Sequence, residues 1–186
     1  MKYFKILSLI CLSFSLLTAC SGDDTPDPVN EEEVITTMTV TLTPDGGGGT
    51  AITLKSQDLD GDGPNAPIVT VSEDLLTGVT YNGVIVLLNE TENPAVDITV
   101  EVKAEDEEHQ FFYTVGGGLD ATTAYTSFDG DGNNLGTEFT LTAGAVSEGT
   151  LTFTLRHEPT KPNTGLGDAG GETDIAVTFN VEIEDL

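Results

Sequence analysis

Residues 34–186 predict an all-β domain, an antiparallel two-sheet β-sandwich, broadly immunoglobulin-like, of about nine strands. Three observations carry the prediction. Apolar residues recur at a period of two through most of the stretch, the pattern of half-buried strands. Threonine and valine dominate these runs, and branching at Cβ suits a pleated surface. Glycine, proline and acidic residues punctuate them, and no segment holds a helical period long enough to read as a helix.

The strands follow in order. In "MTVTLT", Met38, Val40 and Leu42 alternate with threonines; the run breaks at Pro44-Asp45 and four glycines, then resumes as "TAITLK", a hairpin with a loose turn. Residues 73–76 offer one short turn. "GVTYNGVIVLLNE" is longer and more continuously apolar, as a central strand should be. "AVDITVEVK" sets Val96, Ile98, Val100 and Val102 on one face and Asp97, Thr99, Glu101 and Lys103 on the other. "HQFFYTV", "TEFTLT", "GTLTFTLRH" and "TDIAVTFNVEI" complete the set. Pro94, Pro159 and Pro162 mark strand ends. The absence of tryptophan and of a cysteine pair in the domain argues against a true antibody-type sandwich.

The N-terminus reads as a targeting segment, residues 1–19. Lys2 and Lys5 form a positive start, and Ile6 to Leu17 is apolar but too short for an ordinary membrane span. Leu17-Thr18-Ala19-Cys20 resembles a bacterial lipobox, which implies that the Cys20 sulfur receives a diacylglycerol and that cleavage precedes it. Residues 20–33, rich in acids, proline and glycine, read as a flexible tether, because such composition buries too little apolar surface to fold. An acidic stretch directly after the lipidated cysteine also resembles the surface-export signal of Bacteroidota lipoproteins. The expected location is therefore the outer membrane, lipid-anchored and facing outward, with a periplasm-facing anchor as the alternative.

Charge narrows the partners. The chain carries 32 acidic and six basic residues, a formal charge of −26, and both signal lysines leave with the peptide. Such a surface repels nucleic acid and attracts cations. Cys11 lies in the signal and Cys20 at the anchor, so no thiol is left for a disulfide or a thiolate ligand.

Two acidic glycine-containing loops have calcium-like spacing: Asp58, Asp60 and Asp62 in one, and Asp129, Asp131 and Asn133 in the other. Alternate carboxylates of a tight loop converge their oxygens, as calcium requires. Neither loop completes an EF-hand, since Val69 and Thr140 stand where a bidentate glutamate is needed. Aspartate, asparagine and glycine also make good turns without an ion.

The two histidines pose the sharper question. His109 opens "HQFFYTV" on the face of Phe111, Tyr113 and Val115, and His157 closes "LTFTLRH" on the face of Leu151, Phe153 and Leu155. Antiparallel pairing would set the start of one strand level with the end of the other. One ion, zinc or copper, could then bridge both imidazoles, with Glu108, Glu158 or Glu90 completing the shell. The competing reading is that each histidine caps its own strand. Arg156, on a strand among threonines, is expected to pair with a carboxylate.

The blocks "LNETENPAVDIT", "EEHQFF", "DGDGNNLG", "TLRHEPTK" and "GGETDIAVTFNV" together resemble a family of small Bacteroidota surface lipoproteins. The resemblance implies association with TonB-dependent outer-membrane receptors. Relatives are sometimes labelled as having a type 1 periplasmic-binding fold, which alternates strands and helices over two lobes and needs far more chain than this. Catalysis is not expected: there is no nucleophile elbow, phosphate-binding glycine loop or zinc-protease helix. The function expected is a binding module that captures a metal cation or small ligand beside such a receptor. The alternative is a structural or adhesive surface domain that binds a protein partner.

Overall fold

A computed structural model describes residues 33–47, 49–61 and 63–185. The signal segment, Cys20, the tether through residue 32, and Asp62 lie outside the described residues. Those described form a two-sheet sandwich of eleven strands, two more than the sequence pattern separates. The additional strands are short, and no long alternation marks them.

One sheet runs, in spatial order, β3 (Ile68–Val71), β2 (Ile52–Gln57), β1 (Thr37–Pro44), β5 (Thr80–Asn89), β9 (Glu138–Ala143) and β8 (Ala121–Tyr125), with β6 (Val96–Asp97) pairing the end of β5. The other runs β4 (Leu75–Leu76), β11 (Glu172–Glu184), β10 (Ser147–His157) and β7 (His109–Gly116). All pairings are antiparallel except β4 with β11. The period of two does what the sequence predicts: Met38, Val40 and Leu42 of β1 meet Leu151, Phe153 and Leu155 of β10 in one buried core. Burying each such side chain stabilises the fold by about 1.5–3 kcal/mol. Phe153 makes three ring contacts, with centroids 5.6 Å from Phe139, 5.9 Å from Tyr113 and 6.0 Å from Phe179. Gly83 makes room for this layer, because a Cβ there would lie 2.4 Å from the Phe139 ring.

One predicted strand is a helix. Within "AVDITVEVK", only Val96 and Asp97 are extended, and Ile98–Ala104 form α1. Asp97 caps it by accepting the Thr99 N–H at 2.9 Å, Glu101 stands in the first turn and Lys103 in the last, each favourable to the helix dipole. Ile98 and Val102, spaced i, i+4, are buried, whereas Val100 is 64 % exposed. The Thr99 hydroxyl accepts from Leu87 N at 2.8 Å and so binds the helix to β5. The helix ends at Glu105, immediately before the turn that delivers His109.

Residues 158–171 include the single-turn α2 (Leu166–Ala169), and Asn163 of this stretch reaches Gln110 on β7. Asn163 Nδ2 donates to Gln110 Oε1 at 2.7 Å, so Gln110 is buried although its neighbours point to the core. Arg156 meets no carboxylate among the described residues: its guanidinium donates to Gly171 O at 3.3 Å and Thr173 Oγ1 at 2.7 Å. The irregular crossing of β10 and β11 at this point supplies acceptors closer than any acid. No described helix is long and apolar enough to cross a membrane.

Candidate functional site

His109 and His157 are direct partners across β7 and β10. Their rings stack, with centroids 4.6 Å apart and planes inclined by 14°. Both are buried, as expected of residues facing the core rim from strands whose ends are level.

The ring nitrogens of His109 have different duties. Nδ1 lies 3.1 Å from the Glu105 carbonyl oxygen, which can only accept, so Nδ1 carries the proton. The end of α1 thereby orients the ring. Nε2 is buried, with no hydrogen-bond partner among the described residues. Two carboxylates flank it, Glu33 Oε1 at 3.5 Å and Asp174 Oδ2 at 3.9 Å. A histidine fixed through one nitrogen to a carbonyl, with the other presented to carboxylates, matches the tautomer control of metal-bound imidazoles.

Asp174 comes from β11 by way of an irregular register. Leu155 pairs with Ile175 but Arg156 pairs with Thr173, so Asp174 is the extra residue of a β-bulge. Strict alternation would place it on the outer face with Ala176. The bulge turns it inward instead, where its side chain is 3 % exposed and also lies 4.0 Å from His157 Nδ1. Glu33 enters just ahead of β1, its side chain 8 % exposed. Burial first, and then the charges of Glu101, Asp174 and Glu105, push the Glu33 carboxyl up to about 7. This site thus gathers carboxylates around a buried ring nitrogen.

Two groups that could hold a metal ion share His109: His109, His157 and Asp174 form one, and Glu33, Glu105 and His109 the other. Ligands at zinc bond lengths of about 2.0–2.2 Å stand roughly 3.3–3.5 Å apart in a tetrahedron. The separations of 3.5 and 3.9 Å from His109 Nε2 need little closure to reach that spacing. His157 needs more. An ion lies in the plane of the ring it binds, and two near-parallel rings cannot both point at one ion, so His157 must turn out of the stack to contribute.

The carboxylates named from sequence fare unequally. Glu108 reaches the edge of the site, its Oε2 3.9 Å from His157 Nε2, but is largely solvated. Glu158 is exposed at φ 48°, and only its backbone N–H joins the cluster, donating to Glu108 O at 2.7 Å. Glu90 belongs to neither histidine group: Thr37 and Gln57 donate to its carboxylate and hold its pKa below the usual range. Glu33 and Asp174 were hidden in the sequence. One belongs to an acidic run without period, and the other occupies an outward position unless the bulge is known.

In the second acidic loop, Asp129 Oδ1 accepts from Asn133 N at 2.7 Å and Asp131 N at 3.1 Å. Its Oδ2 meets the buried Lys161 ammonium at 3.1 Å, and that ammonium also donates to Asp106 O at 2.6 Å. Burial works to raise the Asp129 pKa, but the Asn133 and Lys161 bonds outweigh it and leave the carboxyl below its ordinary value. A chain cation therefore stands against the carboxylate, while Asp131 is exposed. In the first loop, Asp60 accepts from Asn65 Nδ2 at 2.6 Å, the largest cause of its lowered pKa. Asp58 stays beside Asp60 and also lines a cleft with Glu33 and Asp174.

No protein-family model, curated protein or solved structure matches this chain.

Proposed function

We propose that the chain is an outer-membrane surface lipoprotein whose sandwich is a binding module for a divalent transition-metal cation, zinc or copper, working beside a TonB-dependent receptor. The observation that carries the metal reading is His109 Nε2, a buried ring nitrogen held in place by the Nδ1 bond to Glu105 and flanked by Glu33 and Asp174. Imidazole nitrogen with carboxylate oxygen suits zinc and copper better than calcium, which takes oxygen ligands. His109, Glu33 and Asp174 supply the first three donors, with His157 within reach. The acidic loops support calcium less well, because Lys161 already serves Asp129. Anchoring rests on Cys20 and the sequence before it, and the receptor association on the sequence resemblance alone.

A structural or adhesive role has one observation in its favour: β3 ends its sheet with Ile68 and Val69 exposed, an edge on which a partner strand could pair. Isothermal titration of the mature lipoprotein in detergent separates the readings. The metal reading expects saturable one-to-one binding of zinc or copper and weaker binding of calcium. Silence with all three metals leaves the adhesive role. Anchoring is tested by Cys20→Ala, which should move the protein out of the detergent phase.

A further inference from the structure

We infer that the ion at this site keeps one coordination position open to the neighbouring cleft, where it takes a small neutral nitrogen donor of the imidazole type in preference to an anionic chelator. The inference rests on the metal reading above. Its first basis is the number of donors. His109 Nε2, Glu33 and Asp174 already converge, whereas the His157 ring lies flat against His109, so that its Nδ1, 4.0 Å from Asp174, cannot point at an ion in the plane of the His109 ring. Three chain ligands with a vacant fourth position are the arrangement of exchangeable zinc sites, in contrast to closed structural ones.

The second basis is where the vacant side leads. Glu33 and Asp174 both line a cleft of about 550 Å³ between the β1–β2 end of one sheet and β11 of the other. That volume suits a small organic molecule. Val34, Pro67, Val69 and Val177 give it apolar walls able to hold a ring or a short carbon frame.

The third basis is charge. Among the described residues the cleft is lined by three carboxylates, Glu33, Asp58 and Asp174, and by no basic side chain. A citrate-like chelator would bring like charge into this space, whereas a neutral nitrogen donor does not. An imidazole bound through one nitrogen must also place its remote N–H on an acceptor. Asp58 offers one: its Oδ1 is buried in the same cleft with no hydrogen-bond partner among the described residues. Asp58, spaced in the sequence like a calcium ligand, thereby becomes the group that selects what accompanies the ion.

Cobalt(II), whose visible spectrum reports its ligands, tests this in the mature lipoprotein in detergent. Imidazole added to the cobalt-loaded protein should shift the bands saturably, and citrate at the same concentration should strip the metal without forming a new bound spectrum. Asp58→Ala should weaken the imidazole effect about tenfold, as loss of an outer hydrogen-bond partner does; equal imidazole affinity in that variant would overturn the role of Asp58. A four-ligand spectrum present from the outset and indifferent to imidazole would overturn the open position, with His157 as fourth ligand and the metal reading intact. Failure to bind cobalt or zinc at all would overturn the metal reading and this inference with it.

Discussion

Two buried acidic regions of this protein treat their charge in opposite ways. Around Asp129 the chain supplies its own cation: Lys161, one of the few basic residues, is buried against the carboxylate, and backbone N–H groups satisfy the other oxygen. Around His109 the chain gathers Glu33 and Asp174 against a buried ring nitrogen, with Glu105 close by. Desolvated charge is costly unless a partner of opposite sign or a hydrogen bond meets it. The first region therefore carries its own counter-ion, and the second is the one where we propose an added cation. A sequence rich in acidic loops does not distinguish the two. The position of a single lysine does.

The largest test removes that lysine. Lys161→Met leaves Asp129 buried without its ammonium and should cost about 3–5 kcal/mol, the range for breaking a buried pair from one side. Denaturant unfolding measures it. A loss below about 1 kcal/mol, the range of surface pairs, would erase the contrast between the regions.

Next is the other region's acceptor. His109→Gln removes Nε2 and should weaken zinc binding roughly 100-fold, at or beyond the loss caused by removing a supporting partner. Its stability without metal should change less than that of Lys161→Met. Zinc affinity equal to wild type would show that the ion, if bound, sits elsewhere.

The sequence carried the fold and half of the site, and the boundary between legible and hidden is physical. His109 and His157 meet because parity and antiparallel pairing are long-range consequences of a period of two, which any strand displays in its residues. Asp174 escapes the same rule because one extra residue in β11 reverses its side, and a bulge leaves no apolar mark. The segment Val96–Lys103 fails for another reason. Ile98 and Val102 satisfy both a strand's even spacing and a helix's i, i+4, so short apolar runs are degenerate. The Asp97 cap with Glu101 and Lys103 settles the matter in favour of α1, against the strand preference of valine and isoleucine. Asp97→Ala should accordingly cost about 1 kcal/mol of stability, as loss of an N-cap does. Zinc affinity should stay nearly constant, because the cap lies at the opposite end of the helix from Glu105. A parallel fall in zinc affinity would mean that α1 and the site are coupled as one unit.

A further comparison of the regions runs through pH. Glu33 is raised from 4.5 to about 7, so the folded state holds its proton more tightly than the unfolded chain does. The stability it contributes is fully present below its unfolded value and is lost as pH rises through about 7. Asp129 is lowered from 3.8, so its contribution is present above that value and is lost on acidification. Between pH 5 and pH 8 only Glu33 changes state of these two. Metal-free protein should therefore lose stability over that interval, and Glu33→Gln, which cannot ionise, should lose less. Added zinc should oppose the loss, since a bound cation favours the same carboxylate in its charged form. Denaturation midpoints at the two pH values, with chelator and then with zinc, read all three expectations. An equal fall in wild type and Glu33→Gln would place the titrating group elsewhere and leave Glu33 as a passive neighbour of His109.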